Sequence, residues 1–399
     1  MASKITIKQI LLSNQNWWRF FSKHKHTLRP SIVTTIIKLL SCKNKIRGSH
    51  HYRCSNPQCT HMKRVPHTCK CKACSSCGKK ATELWVAKQN QLLPQTPWQH
   101  ITFTMPDLLW DFFWFNRKLL NEIGKIAALC IQTIAKKKNI IPGIFIAIHT
   151  FGRDLKRNVH VHLSTTTGGL ADENTQWKPL FFDQATLMRI WRYHLIALFR
   201  KSYQQASLII PPALQKQFHP TFTFLHFLNQ LYKKTWIVHC SPPSQDHLHN
   251  VRYLGRYIKR PAIAESKLKH YNGSEVSFNY FDHRSKTYRR FTLTVEQFIT
   301  RFIQHIPDDG FRMIRYYGFL SHRLRGKLLP RVYQLLNQET PRLTTSLSYA
   351  ILIYKNFNFH PLICILCGQP LILSSVSFGP SNARQLIPFH RQLALLQKI

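Results

Sequence analysis

Residues 158–164 read Asn-Val-His-Val-His-Leu-Ser. Apolar and polar side chains alternate, which is the period of a half-buried strand. On such a strand Val159, Val161 and Leu163 face the core, and His160 and His162 share the opposite face. Two imidazoles about 7 Å apart by strand rise can share a divalent metal with one further ligand. Two solvent-facing histidines would give the same pattern in a chain with 22 His, so the strand by itself leaves its chemistry open.

Working outward, Ile144–His149 reads as a preceding strand, joined through the polar loop FGRDLKRN (151–158). ITFTMP (101–106) reads as another short strand, and Asp111–Lys138 as one long amphipathic helix ended near Pro142. Residues 184–206 read as a helix capped by Asp183. A short helix over 248–260 stops at Pro261, a hairpin spans 276–293, and a helix covers 295–305. The first 45 residues have helical spacing (Ile32, Ile36, Ile37, Leu40), with Pro30-Ser31 as a start. Residues 207–235 are ambiguous, and those beyond about 370 carry no motif.

Lys and Arg number 57 against 16 Asp and Glu, a formal charge of +41 in 399 residues. Such a chain self-repels unless a polyanion neutralises it, and nucleic acid is the obvious one. A hydrophobic fraction of 44%, with 26 Phe and 9 Trp, excludes a disordered chain. The shortage of carboxylates argues against sites built on three clustered Asp or Glu. No secretory signal and no apolar run of membrane length is evident; Leu347–Ile353 is too short. With eleven Cys, seven of them between Cys42 and Cys77, zinc is expected rather than disulfides. The expected setting is the cytoplasm, with nucleic acid as partner and no membrane.

The cysteine segment runs His50-x3-Cys54-x4-Cys59-x9-Cys69-x4-Cys74-x2-Cys77. Zinc prefers four thiolates or imidazoles supplied as two close pairs, so Cys54/Cys59 and Cys74/Cys77 are expected to hold one structural Zn²⁺. His50, His61, Cys69 and Cys71 are spare donors. Cys364-x2-Cys367 is a weaker pair that can complete a zinc site. Lys63, Arg64, Lys70, Lys72, Lys79 and Lys80 surround the segment, ready for phosphates.

Residues 252–261 read RYLGRYIKRP. Tyr253 and Tyr257 are spaced i, i+4, which puts two phenols on one helical face. Arg252, Arg256, Lys259 and Arg260 make the helix cationic and suited to DNA. A phenol, with a pKa near 10, becomes a nucleophile toward phosphate when cations favour its anion. The same tyrosines could instead stack on bases or pack on the sheet.

Taken in order, these motifs resemble the two-tyrosine HUH transposases of the insertion-sequence-91 type. HTCKCKACSSC (67–77) resembles the family's zinc segment, WVAKQNQLLP (85–94) the helix after it and HITFTMP (100–106) the next strand. HTFG (149–152), NVHVHLSTTTGGL (158–170), YLGRYIKRPAIAESKL (253–268) and FRMIRYYGFLSHRLRGKL (311–328) resemble its later blocks. Two positions depart from the family pattern: the first cysteine pair is separated by SNPQ rather than two residues, and Asn158 replaces a histidine two before His160.

The resemblance implies an α+β chain with a ferredoxin-like antiparallel sheet behind an N-terminal helical and zinc-binding segment. It implies Mg²⁺ or Mn²⁺ at His160 and His162, with His149 or Glu265 as candidates for a third ligand. It implies Tyr253 and Tyr257 as nucleophiles in single-strand nicking and joining at element ends. The expected organisation is a zinc and DNA-binding domain (1–95), a catalytic domain (96–305) and a basic C-terminal region with the CxxC pair (306–399). A non-catalytic zinc-stabilised DNA-binding protein, or a replication initiator or relaxase, are the alternatives.

Overall fold

The computed structural model describes residues 5–218, 223–282, 285–341, 350–351, 353–354, 358–379 and 385. The chain is mixed α+β, and the strand pairs of its three sheets are antiparallel. It divides into two compact units, each built from separated stretches of sequence. One comprises Val86–Ile258 and Gly310–Leu343; the other comprises Met1–Trp85, Lys259–Asp309 and Thr344–Ile399. Along the sequence the stretches of the two units alternate.

In the first unit a six-stranded sheet runs Ile314–Gly318, Ile141–Phe151, Arg157–Ala171, Trp98–Phe103, Val238–Cys240, with Gln176–Pro179 beside Arg157–Ala171. The two central strands are longer than their sequence cores, at 11 and 15 residues. One face of the sheet is apolar: Ile101, Phe103, Ile144, Ile146, Ile148, Val161 and Leu163 are each fully buried. Against them pack the helices Leu119–Lys136 and Gln184–Gln204, through Ile123, Ala127, Ile131, Leu187, Trp191 and Leu195. Burying a side chain of this size contributes about 1.5–3 kcal/mol, so this face dominates the unit's stability. Asp183 caps the second helix, its carboxylate accepting from Thr186 N at 2.7 Å.

The long helix expected over Asp111–Lys138 is two helices, Trp110–Phe115 and Leu119–Lys136. The break is at Asn116, whose amide donates to Phe112 O (2.9 Å) and Ile209 O (2.7 Å). Its carbonyl oxygen accepts from Ile209 N at 2.7 Å. Competition of this kind, between a side-chain amide and the helical ladder, is why Asn ends helices.

In the second unit the helices Ile7–Leu12, Asn16–His24 and Pro30–Leu40 lead into the strands Gly48–Cys54 and Met62–Pro66. Pro30 occupies the first turn, where its missing N–H costs nothing. The third strand of that sheet is Leu371–Phe378, which pairs with Gly48–Cys54. Of the stretch beyond 370, which carries no motif in sequence, residues 371–378 thus return to the cysteine segment, and 380–384 and 386–399 lie outside the described residues. The expected hairpin is Glu275–Asp282 with Thr287–Thr294, extended by Leu268–Tyr271. A capping box of Thr294 and Gln297 starts the helix Val295–Ile303. Among the described residues, no helix is long and apolar enough to cross a membrane.

Candidate active site

The polar face of the six-stranded sheet carries the histidines. Strand alternation puts His160 and His162 opposite Val159, Val161 and Leu163, which are buried in the helical core. The antiparallel register sets His149 beside His160, and Thr102 beside His162. His149, His160 and His162 each offer a ring nitrogen, all within 4.8 Å of one another. The Nε2 atoms of His160 and His162 are 3.1 Å apart.

The outer nitrogens are held. His160 Nδ1 lies 2.9 Å from Asn158 O and 3.1 Å from Asn158 Oδ1, so it donates there and its Nε2 lone pair points at His162. His162 Nδ1 lies 3.1 Å from His100 Nε2 and 3.3 Å from Thr102 Oγ1. Burial pushes His160 and His100 down to about 4, and His162 well below the usual 6.5. All three are therefore neutral at pH 7, the protonation state a metal requires. Cis ligands on a divalent ion at about 2.1 Å stand roughly 3 Å apart, which the 3.1 Å separation of the two Nε2 atoms fits. The residues present suit a divalent cation, with the outer nitrogens fixed by partners as ligating histidines usually are.

Tyr253 belongs to the helix His247–Lys259, anchored through buried Val251 and Leu254. Its ring is edge-on to His100 and His162, with centroids 5.4 and 6.0 Å away. One expected nucleophile thus lies against the histidine cluster. Tyr257 is on the same helix, one turn later; its side chain and those of Arg256 and Lys259 lie outside the described ones. Arg252 is exposed. Arg260, past the helix end, is 3.7 Å from Glu83. Glu265 is not part of the cluster: it belongs to the other unit, where its carboxylate accepts from Ile7 N at 3.1 Å and satisfies a helix start.

The cysteines meet differently from expectation. Cys54/Cys59 and Cys74/Cys77 do not share a site. Cys74 and Cys77 join Cys42 and Cys69, and Cys54 and Cys59 join Cys364 and Cys367. The reason is topological: Cys54 ends a strand whose partner on one side is Leu371–Phe378, which brings the C-terminal pair alongside. In the first group the Cys42–Cys77, Cys69–Cys77 and Cys42–Cys74 sulfurs are 3.7, 3.5 and 3.7 Å apart. Tetrahedral zinc at about 2.3 Å from each thiolate needs roughly 3.8 Å. Cys71 is outside that group, though its sulfur is 3.4 Å from Cys69 Sγ. His50 is in neither group; its Nδ1 is 3.0 Å from His67 Nε2. Beside the first group opens a groove of about 1170 Å³, lined by Lys38, Lys43, Arg47, Lys70, Lys79 and Lys80 among others.

Spacing missed two residues. His100 stands in HITFTMP, where nothing marks it until Thr102 is set beside His162. Cys42 lies 27 positions before Cys69, with no pair of its own.

A family described as "Putative transposase" matches residues 143–327, and one described as "Transposase zinc-binding domain" matches residues 12–105. The histidine strand falls in the first match and six of the eight clustered cysteines in the second, which makes the chain a transposase with a zinc-binding domain. The transposase for insertion sequence element IS801 of Pseudomonas savastanoi pv. phaseolicola is 39% identical over 94% of this chain and 90% of that protein. The putative transposase y4qJ of Sinorhizobium fredii is 29% identical over 77% of this chain and 79% of its own length. The chain belongs to the insertion-sequence-91 family of transposases. No solved structure matches it.

Proposed function

We propose that this transposase cuts and rejoins single-stranded DNA at the ends of its element through phosphotyrosine links, on a sheet of the HUH, ferredoxin-like type. The observation that carries the reading is the convergence of His149, His160 and His162 with the ring of Tyr253 beside them.

In this reading Tyr253 is a nucleophile and Tyr257, one helical turn on, is the second. The Tyr253 phenolate oxygen bonds to the scissile phosphorus and the P–O3′ bond breaks. The phenol gives up one proton and the departing 3′ oxygen takes one. The phosphate remains a diester on tyrosine, so its bond energy is kept for rejoining to another 3′ hydroxyl. Two tyrosines permit two such links in succession. His149, His160 and His162 would hold Mg²⁺ or Mn²⁺, which supplies Lewis-acid polarisation of the phosphate. Asn158, Thr102 and His100 keep two of those rings oriented. Arg252, Arg256, Lys259 and Arg260 hold the DNA strand by charge, and the lysine groove beside the first cysteine group takes further phosphates. The first cysteine group holds structural Zn²⁺.

The test is nicking of a single-stranded oligonucleotide carrying an element end. Cleavage should need added Mn²⁺ or Mg²⁺ and vanish in His160→Ala/His162→Ala. Metal-independent nicking, or nicking by that variant, contradicts the reading.

A further inference from the structure

We infer that the chain carries a second structural zinc ion, held by Cys54, Cys59, Cys364 and Cys367, which clasps the C-terminal strand Leu371–Phe378 onto the strand Gly48–Cys54. The inference stands apart from the nicking reading, because its geometry and its test involve neither DNA nor the histidine cluster.

Each cysteine pair is presented by a tight turn. Cys54 N donates to His61 O at 3.0 Å, and Cys59 N to Asn56 O at 3.0 Å. Across from them, Cys364 N donates to Gln369 O at 2.8 Å and Gly368 N to Cys364 O at 2.9 Å. Gly368 comes directly after Cys367 at φ +73°, a left-handed conformation that glycine adopts without strain and that closes the second turn. The four sulfurs lie within 4.8 Å of one another, with Cys54–Cys367 at 3.3 Å and Cys59–Cys364 at 3.7 Å. These separations are far beyond a disulfide bond of about 2.05 Å and close to the roughly 3.8 Å edge of a zinc–thiolate tetrahedron. Four thiolates close the coordination shell, so the site is structural rather than catalytic. His61 Nδ1, 3.1 Å from Cys364 Sγ, is placed to donate to one thiolate.

The strand after the second turn explains why a clasp is needed. Of Leu371–Phe378 only Leu371 is buried, while Ile372, Leu373 and Phe378 are 42%, 54% and 85% exposed. Among the described residues it pairs on one side only, at the edge of its sheet. Apolar burial therefore does little to hold it. Cys59 and Cys364 are 305 positions apart, and a link that closes so long a loop removes much freedom from the unfolded chain. A metal bond next to Leu371 supplies the holding energy that side-chain packing lacks.

The test is metal content of the purified full-length chain by inductively coupled plasma mass spectrometry. Two zinc ions per chain are expected, falling to one in Cys364→Ser/Cys367→Ser and to one in Cys42→Ser/Cys69→Ser. One zinc in the parent, or two in the Cys364→Ser/Cys367→Ser variant, overturns the inference, as does iron in the second site. Should the variant fail to fold, hydrogen exchange on the parent under graded chelation decides the matter. Amides of residues 371–378 should lose protection as an ion leaves; protection that survives complete removal of zinc overturns the clasp.

Discussion

His100 Nε2 lies 3.1 Å from His162 Nδ1, on the far side of the ring from His160. This contact sets the direction in which His162 presents its other nitrogen. Partners of this kind tune metal affinity about 10–100-fold. His100→Ala should therefore weaken Mn²⁺ binding by roughly that factor in a calorimetric titration. His100→Gln, which keeps an acceptor, should recover part of it. An unchanged affinity in His100→Ala would show that His162 is oriented by other means.

Cys42 and Cys71 make a discriminating pair. Both have sulfurs near the first cysteine group, but only Cys42 belongs to it. Cys42→Ser should lower zinc content by one ion per chain, and Cys71→Ser should leave it intact. The opposite result would redraw the ligand set.

The buried histidines make stability depend on pH. Each is protonated near 6.5 when unfolded, but His160 and His100 resist until about 4 when folded. The unfolded chain thus binds more protons as pH falls, so stability present above about 6.5 is lost on the way to about 4. Without added Mg²⁺ or Mn²⁺ the melting temperature should fall by several degrees across that window. His162→Gln should blunt the fall. An identical profile for parent and variant would contradict the burial argument.

Asn116 tests the helix break. Asn116→Ala leaves Ile209 N and O without their side-chain partner, at a cost of about 0.5–1.5 kcal/mol per bond. A lower urea midpoint is the expected reading. A neutral effect would mean that the loop around Ile209 finds other partners.

Much of this was legible because local patterns carried it. The alternation around His160 and His162 gave the strand and its two faces, and the i, i+4 spacing gave the helix of Tyr253 and Tyr257. Asp183 marked a helix start that the structure has. What sequence could not supply was long-range pairing. Leu371–Phe378 lacks an apolar stripe because few of its side chains are buried, so no period announced it. Without that strand, Cys364 and Cys367 had no visible route to Cys54 and Cys59. No local signal marks the helix break at Asn116, because its competing partner, Ile209, lies 93 positions away. His100 and Glu265 are likewise matters of register and packing rather than spacing.

Attack on DNA by Tyr253 beside the histidine cluster, as proposed, leaves a covalent mark on the chain. The most direct measurement is peptide mapping by mass spectrometry after incubation with a labelled single-stranded element end and Mn²⁺. A protease-sensitive, covalent protein–DNA species with nucleotide on Tyr253 or Tyr257 is expected, absent from the Tyr253→Phe/Tyr257→Phe variant. Equal adduct in that double variant, or cleavage of the end with no covalent species, would contradict it.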